Sequence, residues 1–358
     1  MVAACRPHAP TRPAPFPQRA AAPTVLTTPQ RKGPAVQKAY GVAIVGLGIM
    51  GLRMVERIAA HPGFHVASLH DPDPAAVARA RAAVPNAPAF DTAEAAMDAP
   101  GVGCVYVASP PASHVRHGLA ALDRGKPLFC EKPLAADLAA GGALAERAAR
   151  PGARAAVNFS LAASPAFRAL EEEIRHGAVG APTALNLVVR FAAWPRPWQK
   201  AAASWLDGRA EGGFVREVVS HFLFAALRVG GPLAVGYAHV DHPWGGASER
   251  RVAARLTAGA LPFAIDGAVD GPDDDRNLFT VEGTAGAVRI RDWALADRRG
   301  DGGWETLALG SVDEVRWRAA QGQLDELHAM VEGRPNRLAT IAEAFAVQAA
   351  AEAILAGR

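Results

Sequence analysis

The chain has 358 residues, half of them apolar, with 38 Lys and Arg against 35 Asp and Glu. At that length two domains are the default, each with room for a packed core. The formal charge of +3 comes from the first 38 residues, which hold six basic side chains and no acid; taking those six from the 38 leaves 32 against 35 acids, a mildly acidic remainder without the basic footprint of a nucleic-acid binder.

Residues 1–38 are rich in Pro, Ala and Arg, show no hydrophobic periodicity and contain no continuous apolar h-region. They are predicted to form a disordered leader. Their composition has some likeness to an organelle transit peptide, but an unstructured extension fits it better.

From Tyr40 onward, strand and helix patterns alternate. Gly41–Val45 reads as a buried strand and Met50–Ala60 as a helix with Leu52, Val55 and Ile58 on one face. Phe64–Leu69 is a second strand, ending at His70-Asp71. Helices are predicted over Pro74–Ala83 and, shorter, Asp91–Met97. Val102–Ala108 is a strand, His114–Asp123 a helix closed by Gly125, and Leu128–Cys130 another strand. Asp137 caps a predicted helix running to Arg150, and Ala153–Phe159 ends the series. Such alternation means a parallel sheet with helices on both faces, an α/β doubly wound Rossmann sheet over residues 39–157.

Residues 158–358 read as a second domain. Pro165–His176 is amphipathic, Thr183–Ala192 is a long strand, and Gly212–Val229 is mainly helix. Val235–Val240, Arg251–Leu256, Pro262–Val269, Leu278–Glu282 and Ala287–Asp292 are strands joined by Gly, Pro and Asp turns. Gln323–Glu332 and Leu338–Leu355 are helical. The prediction is an α+β domain with a mostly antiparallel sheet. No apolar stretch approaches the roughly twenty residues of a membrane helix. The three cysteines (Cys5, Cys104, Cys130) have no metal-ligand spacing; the latter two lie in strand-like runs as core residues, consistent with a reducing, cytoplasmic setting.

The chemistry concentrates in short motifs. Gly46-Leu47-Gly48-Ile49-Met50-Gly51 sits between a strand and a helix, the context in which G-x-G-x-x-G cradles a dinucleotide pyrophosphate on backbone N–H groups. Asp71, twenty positions after Gly51, can bond ribose hydroxyls and would repel a 2′-phosphate, so NAD is expected over NADP; the plainer alternative is an Asp-Pro-Asp-Pro turn. Ser109-Pro110-Pro111-Ala112-Ser113-His114 follows a strand past the order reversal, toward the nicotinamide end, or is a βα loop with Ser113 as N-cap. Glu131-Lys132-Pro133 ends the next strand, carrying a lysine to the same crevice. Glu217 and His221 are four apart on a predicted helix, so the carboxylate could fix the imidazole tautomer and raise its basicity; flanking Phe222, Leu223 and Phe224 also fit a core histidine. On this reading His221 exchanges a hydroxyl proton while Lys132 polarises the oxygen. Trp194-Pro195-Arg196-Pro197-Trp198, with Trp205, could face a sugar or an acidic group, but a stiff loop packed beneath itself or at a dimer contact is the preferred expectation. Asp273-Asp274-Asp275 reads as a solvated turn, and no metal is expected.

These motifs together resemble the Gfo/Idh/MocA oxidoreductases (relatives of glucose-fructose oxidoreductase and inositol dehydrogenase). The resemblance rests on Gly46/Gly48/Gly51, Ser109-Pro110 with His114, Glu131-Lys132-Pro133, and Gly212-Gly213 followed by Glu217 and His221, and it runs from Tyr40 onward. It implies that Ile49, Met50, Ser109, Pro110, His114 and Glu131 join the glycines and Asp71 around NAD. It also implies that the second domain is an open-faced sheet packing against another subunit as a homodimer or homotetramer. The active site would lie between the domains, with Lys132 and His221 assisting hydride transfer at a sugar or polyol carbon. The family usually has Asp where this chain has Glu217. Three alternatives stay open, among them a redox-neutral enzyme of the same fold, cleaving glycosides or epimerising with bound NAD, and a non-catalytic NAD sensor. An unrelated dehydrogenase acting on an amino-acid-derived or aromatic diol is a third.

Overall fold

The computed structural model describes residues 38–272 and 275–357; the leader up to residue 37, with Cys5, and the first two acids of the Asp273–Asp275 triplet lie outside them. The first sheet is built from β1 (Tyr40–Val45), β2 (Phe64–His70), β3 (Val102–Val107), β4 (Leu128–Cys130) and β5 (Ala155–Val157), all parallel, in the order β5-β4-β3-β1-β2. The run Val42–Val45 is buried on both faces, as a central strand between two helix layers must be. Helices α1 (Ile49–Ala60), α2 (Pro74–Ala83), α3 (Ala93–Met97), α4 (Pro111–Asp123) and α5 (Leu138–Ala148) connect the strands. Asp73 and Asp137 cap α2 and α5 through their side-chain oxygens. Chain order reverses at β1, so the crevice outside the carboxyl ends of β1, β3, β4 and β5 is where a doubly wound sheet binds its ligand. Cys104 and Cys130 are buried and unpaired in β3 and β4, as expected.

The second sheet is larger. After α6 (Pro165–Arg175) come β6 (Pro182–Phe191), the short α7 (Ala203–Leu206), α8 (Ser220–Gly230), then β7 (Leu233–Asp241), β8 (Arg251–Ala258), β9 (Leu261–Val269), β10 (Arg276–Gly283), β11 (Ala287–Arg291), β12 (Leu295–Gly300) and β13 (Gly303–Thr306). Their order is β13-β12-β11-β10-β6-β9-β8-β7, antiparallel throughout except for the β6–β9 pair. Burial alternates strictly along β8: Val252, Ala254, Leu256 and Ala258 point inward while Arg251, Ala253, Arg255 and Thr257 are exposed. One face therefore packs against helices and the other is open. Phe222 of α8 lies 6.0 Å from Phe279 of β10, and Phe224 stacks on Phe159 at 5.1 Å, just past β5. Each fully buried Phe contributes about 1.5–3 kcal/mol of apolar transfer, so these rings fasten the two sheets' layers together.

Helix α9 (Val312–Val331) starts eleven residues before the predicted Gln323, with a capping box between Ser311 and Glu314. Its first half carries too few apolar positions to show a helical stripe. Strands β12 and β13 were not expected: they are polar, and buried Asp297 holds them by accepting from Arg289, Arg291 and Thr306. Finally β14 (Ala339–Thr340) adds an antiparallel edge beside β5, and α10 (Ile341–Leu355) follows it. Among the described residues no helix is long and apolar enough to cross a membrane.

Candidate active site

The glycine loop is shaped by close approach. Gly46 has φ +94°, and a Cβ there would stand 2.4 Å from the Ser109 amide nitrogen; one on Gly51 would stand 2.0 Å from the Gly46 carbonyl oxygen. These two positions lock the β1–α1 turn against the loop after β3. Gly48 differs: a Cβ on it would meet nothing within 4 Å. It caps α1 with no side-chain partner and no acid in the first turn, so the leading N–H groups of Ile49 and Met50 are left for an anion. Asp71, the residue just past β2, accepts from the Leu47 N–H at 2.6 Å and from the Asp73 N–H at 2.9 Å, bracing the loop while it lines the cleft. The cleft encloses about 1330 Å³. Open N–H groups, an unfilled position at Gly48 and a carboxylate at the end of β2 are what a dinucleotide needs, and the residues present fit it.

The next three parallel strands deliver the other motifs. Ser109 and Pro110 leave β3, and buried His114 links their loop to the one after β4: its Nε2 lies 2.6 Å from the Ser109 carbonyl and its Nδ1 2.8 Å from that of Pro133. Burial holds this imidazole below its ordinary pKa, while the two carbonyls pull it back up. Ser113 is not the N-cap; α4 begins at Pro111, and the Ser113 hydroxyl lies 2.6 Å from Ser109 Oγ. Glu131 is buried, and its Oε1 accepts from Tyr106 Oη at 2.5 Å and Asn158 Nδ2 at 2.6 Å. Burial raises its pKa. Gln323 of α9 donates in turn to Asn158. This network fixes the residue immediately before Lys132.

Lys132 Nζ donates to Glu217 Oε2 at 2.7 Å and to the Glu217 carbonyl at 3.2 Å, with both side chains close to nine-tenths buried. His221 is buried too, edge-on to Phe159 (5.4 Å) and Trp293 (5.2 Å), with Nδ1 3.4 Å from Ser160 Oγ. Here the expected Glu217–His221 pair is corrected. Val215–Val219 forms a wide turn with i→i+5 spacing, so residues four apart no longer stack, and the nearby ammonium takes the carboxylate. The basicity expected of His221 is corrected as well. Burial first, then the charges of Lys132 and Arg196, push its pKa well below 6.5, so the ring is neutral.

The wide turn is held at its root. Gly213 has φ +102°, where a Cβ would be 2.3 Å from buried Glu249, whose Oε1 accepts the Val215 N–H at 2.7 Å. Burial lifts the Glu249 carboxyl to about 7. Arg216 makes a two-point pair with Glu352 of α10, both contacts at 2.7 Å.

Several cleft residues gave no sequence signal. Tyr106, which lies behind the cleft and supports Glu131, reads as core within an apolar strand. Asn158 and Ser160 stand just past β5, where the parallel order alone could have marked them. Trp293, with φ +70°, follows the last strand the pattern had delimited. In the Trp-rich loop Trp194 packs as expected, 6.2 Å from Phe214, with its Nε1 donating to Ser248, and Trp205 also packs against the core. Arg196, Trp198 and Trp205 line the cleft.

The chain is similar to several known proteins. Residues 40–159 match the family model described as an oxidoreductase family with an NAD-binding Rossmann fold. The chain is 33% identical over 183 residues to the inositol 2-dehydrogenase of Streptomyces avermitilis, covering 47% of this chain and 53% of that protein. With the inositol 2-dehydrogenase of Acidothermus cellulolyticus it is 31% identical over 163 residues, 45% of this chain and 48% of that one. It thus spans about half the length of these curated relatives. A levoglucosan dehydrogenase solved with NADH superposes with a TM-score of 0.77 over 89% of this chain and 96% of its own, at 18% identity, a likeness of fold. Through residues 40–159, the chain is similar to the Gfo/Idh/MocA oxidoreductases.

Proposed function

We propose that the protein is an NAD-dependent dehydrogenase or reductase acting on a CH–OH group of a sugar, polyol or related hydroxy compound. The observation that carries this is the meeting of Lys132, Glu217 and His221 in the same cleft as the glycine loop and Asp71. Ile49, Met50 and Gly48 would hold the pyrophosphate and Asp71 a ribose diol, where its charge disfavours a 2′-phosphate. Ser109, Pro110, His114 and Glu131 would shape the nicotinamide end. Bound there, NAD supplies the hydride acceptor.

The chain's own residues do the rest. Lys132, aimed by Glu217, donates a hydrogen bond to the substrate oxygen and stabilises negative charge developing on it. His221 is neutral, and with Nδ1 beside Ser160 its Nε2 has no protein partner among the described residues, so that nitrogen accepts the hydroxyl proton. Phe159 and Trp293 keep water from the imidazole. That two named relatives act on inositol and levoglucosan supports a carbohydrate-like substrate.

Absorbance at 340 nm tests the proposal: protein with NAD or NADP against sugars, polyols, sugar acids and diols is expected to form NADH with one substrate class and NAD preferred. A silent panel despite bound NAD would overturn it. We also take the open sheet face as the contact of a homodimer or homotetramer, as the family resemblance implies; light scattering should return two or four chain masses, and a monomer would refute it. The unpaired buried thiols support a cytoplasmic setting.

A further inference from the structure

Arg196 lines the cleft beside the catalytic groups, and the dehydrogenase chemistry gives it no role. Its backbone N–H and its Nε both go to one atom, Oε1 of buried Gln199, at 3.2 and 3.1 Å. Its guanidinium carbon lies over two aromatic rings, 4.9 Å from that of Phe191 and 4.9 Å from that of Trp198. Among the described residues no carboxylate lies within ion-pair distance of it. The acids whose fields reach it are committed elsewhere: Glu217 to Lys132, and Asp275 Oδ1 to the Ala192 N–H at 2.8 Å. A second cation makes the imbalance worse, since Arg53 of α1 lies over the same Trp198 ring at 4.5 Å.

A half-buried guanidinium with its two terminal amino groups unclaimed, beside another arginine, is a site for an anion. Its flat fork matches a carboxylate by two parallel hydrogen bonds. Two anions could come here, the cofactor's pyrophosphate or a charged group on the substrate. The pyrophosphate already has the free N-terminus of α1. Arg196 also lies close enough to His221 and Glu217 for its charge to act on the imidazole and for Glu217's to act on it. That favours the reacting end of the cleft.

We propose that Arg196 binds a carboxylate of the substrate, making the preferred substrate an acidic polyol such as an aldonate or a uronate, not a neutral sugar. This rests on the dehydrogenase reading for the reaction, though binding by Arg196 can be tested without it. Gln199 and Trp198 act as positioning residues for the guanidinium. Lys132 is already paired with Glu217 and His221 is uncharged, so neither competes for the acid group.

The test pairs acids with their neutral counterparts: D-gluconate with D-glucose, D-galacturonate with D-galactose, and other C4–C6 aldonates and uronates. NADH formation should be faster with an acid than with its partner by at least about tenfold in kcat/KM. Arg196→Gln should raise KM for that acid by about ten- to a hundredfold, at least about tenfold more than for the neutral partner, with NAD affinity retained, and Arg196→Lys should recover part of the loss. Preference for the neutral partner, or an equal loss on both, overturns the proposal while the NADH formed keeps the dehydrogenase reading. A loss of NAD affinity in Arg196→Gln would assign the guanidinium to the pyrophosphate and overturn it too. If no compound forms NADH, calorimetry of the acids on NAD-loaded protein decides: binding that Arg196→Gln abolishes supports the carboxylate site, and binding by none of them refutes it.

Discussion

Lys132 and His221 share one cleft but are prepared in opposite ways. The lysine is matched to a carboxylate at 2.7 Å and keeps a positive charge to offer; the imidazole is buried near two cations and is kept neutral. With a folded pKa below 6.5, His221 binds its proton less readily than in the unfolded chain. Its contribution to stability is therefore complete above about pH 6.5 and is lost as pH falls below that. In catalysis, the acid limb of kcat/KM for oxidation should lie below pH 6.5. Replacing Arg196 by Gln removes one repelling charge and should move that limb upward. A limb at or above pH 7 in the native protein would rule out a neutral, buried base. At this scale the sequence was legible where a motif follows a strand, as at Gly46, Asp71 and Lys132. It misled at Glu217 and His221, because spacing of four means contact only in a regular α-helix.

Helix α1 shows how an element is built to bind. Its first turn lacks a capping side chain and an acid, so its dipole and N–H groups remain available. Two glycine variants separate architecture from binding. Gly51→Ala forces a Cβ to 2.0 Å from the Gly46 carbonyl and should destabilise the fold by about 1–3 kcal/mol. Gly48→Ala meets no protein atom; it should cost under about 1 kcal/mol of stability yet weaken NAD binding by obstructing the cradle. Thermal denaturation and NAD titration of both check this, and equal effects on stability would contradict it. Most element boundaries in the first sheet could be read from apolar runs closed by Gly or Pro. The start of α9 and the β12–β13 hairpin could not, since their partners are polar side chains such as Glu314 and Asp297, and not a hydrophobic stripe.

For the whole molecule, alternation of strand and helix up to Val157 was enough to give the parallel sheet and hence the edge at which ligands bind. What local pattern could not give is pairing at a distance. β6 lies parallel to β9 within an otherwise antiparallel sheet, and β14 returns from Ala339–Thr340 to pair with β5. Those long-range choices bring Gln323 of α9 to Asn158 and the Glu217 turn to Lys132, and so complete the cleft. The most direct measurement is the initial rate of NADH formation by the native protein and by Lys132→Met, on the best substrate of the panel, with NAD affinity measured on both. The predicted result is intact NAD binding with kcat lowered by about a hundred- to a thousandfold. A variant that binds NAD and keeps most of its rate would contradict the central role given to Lys132.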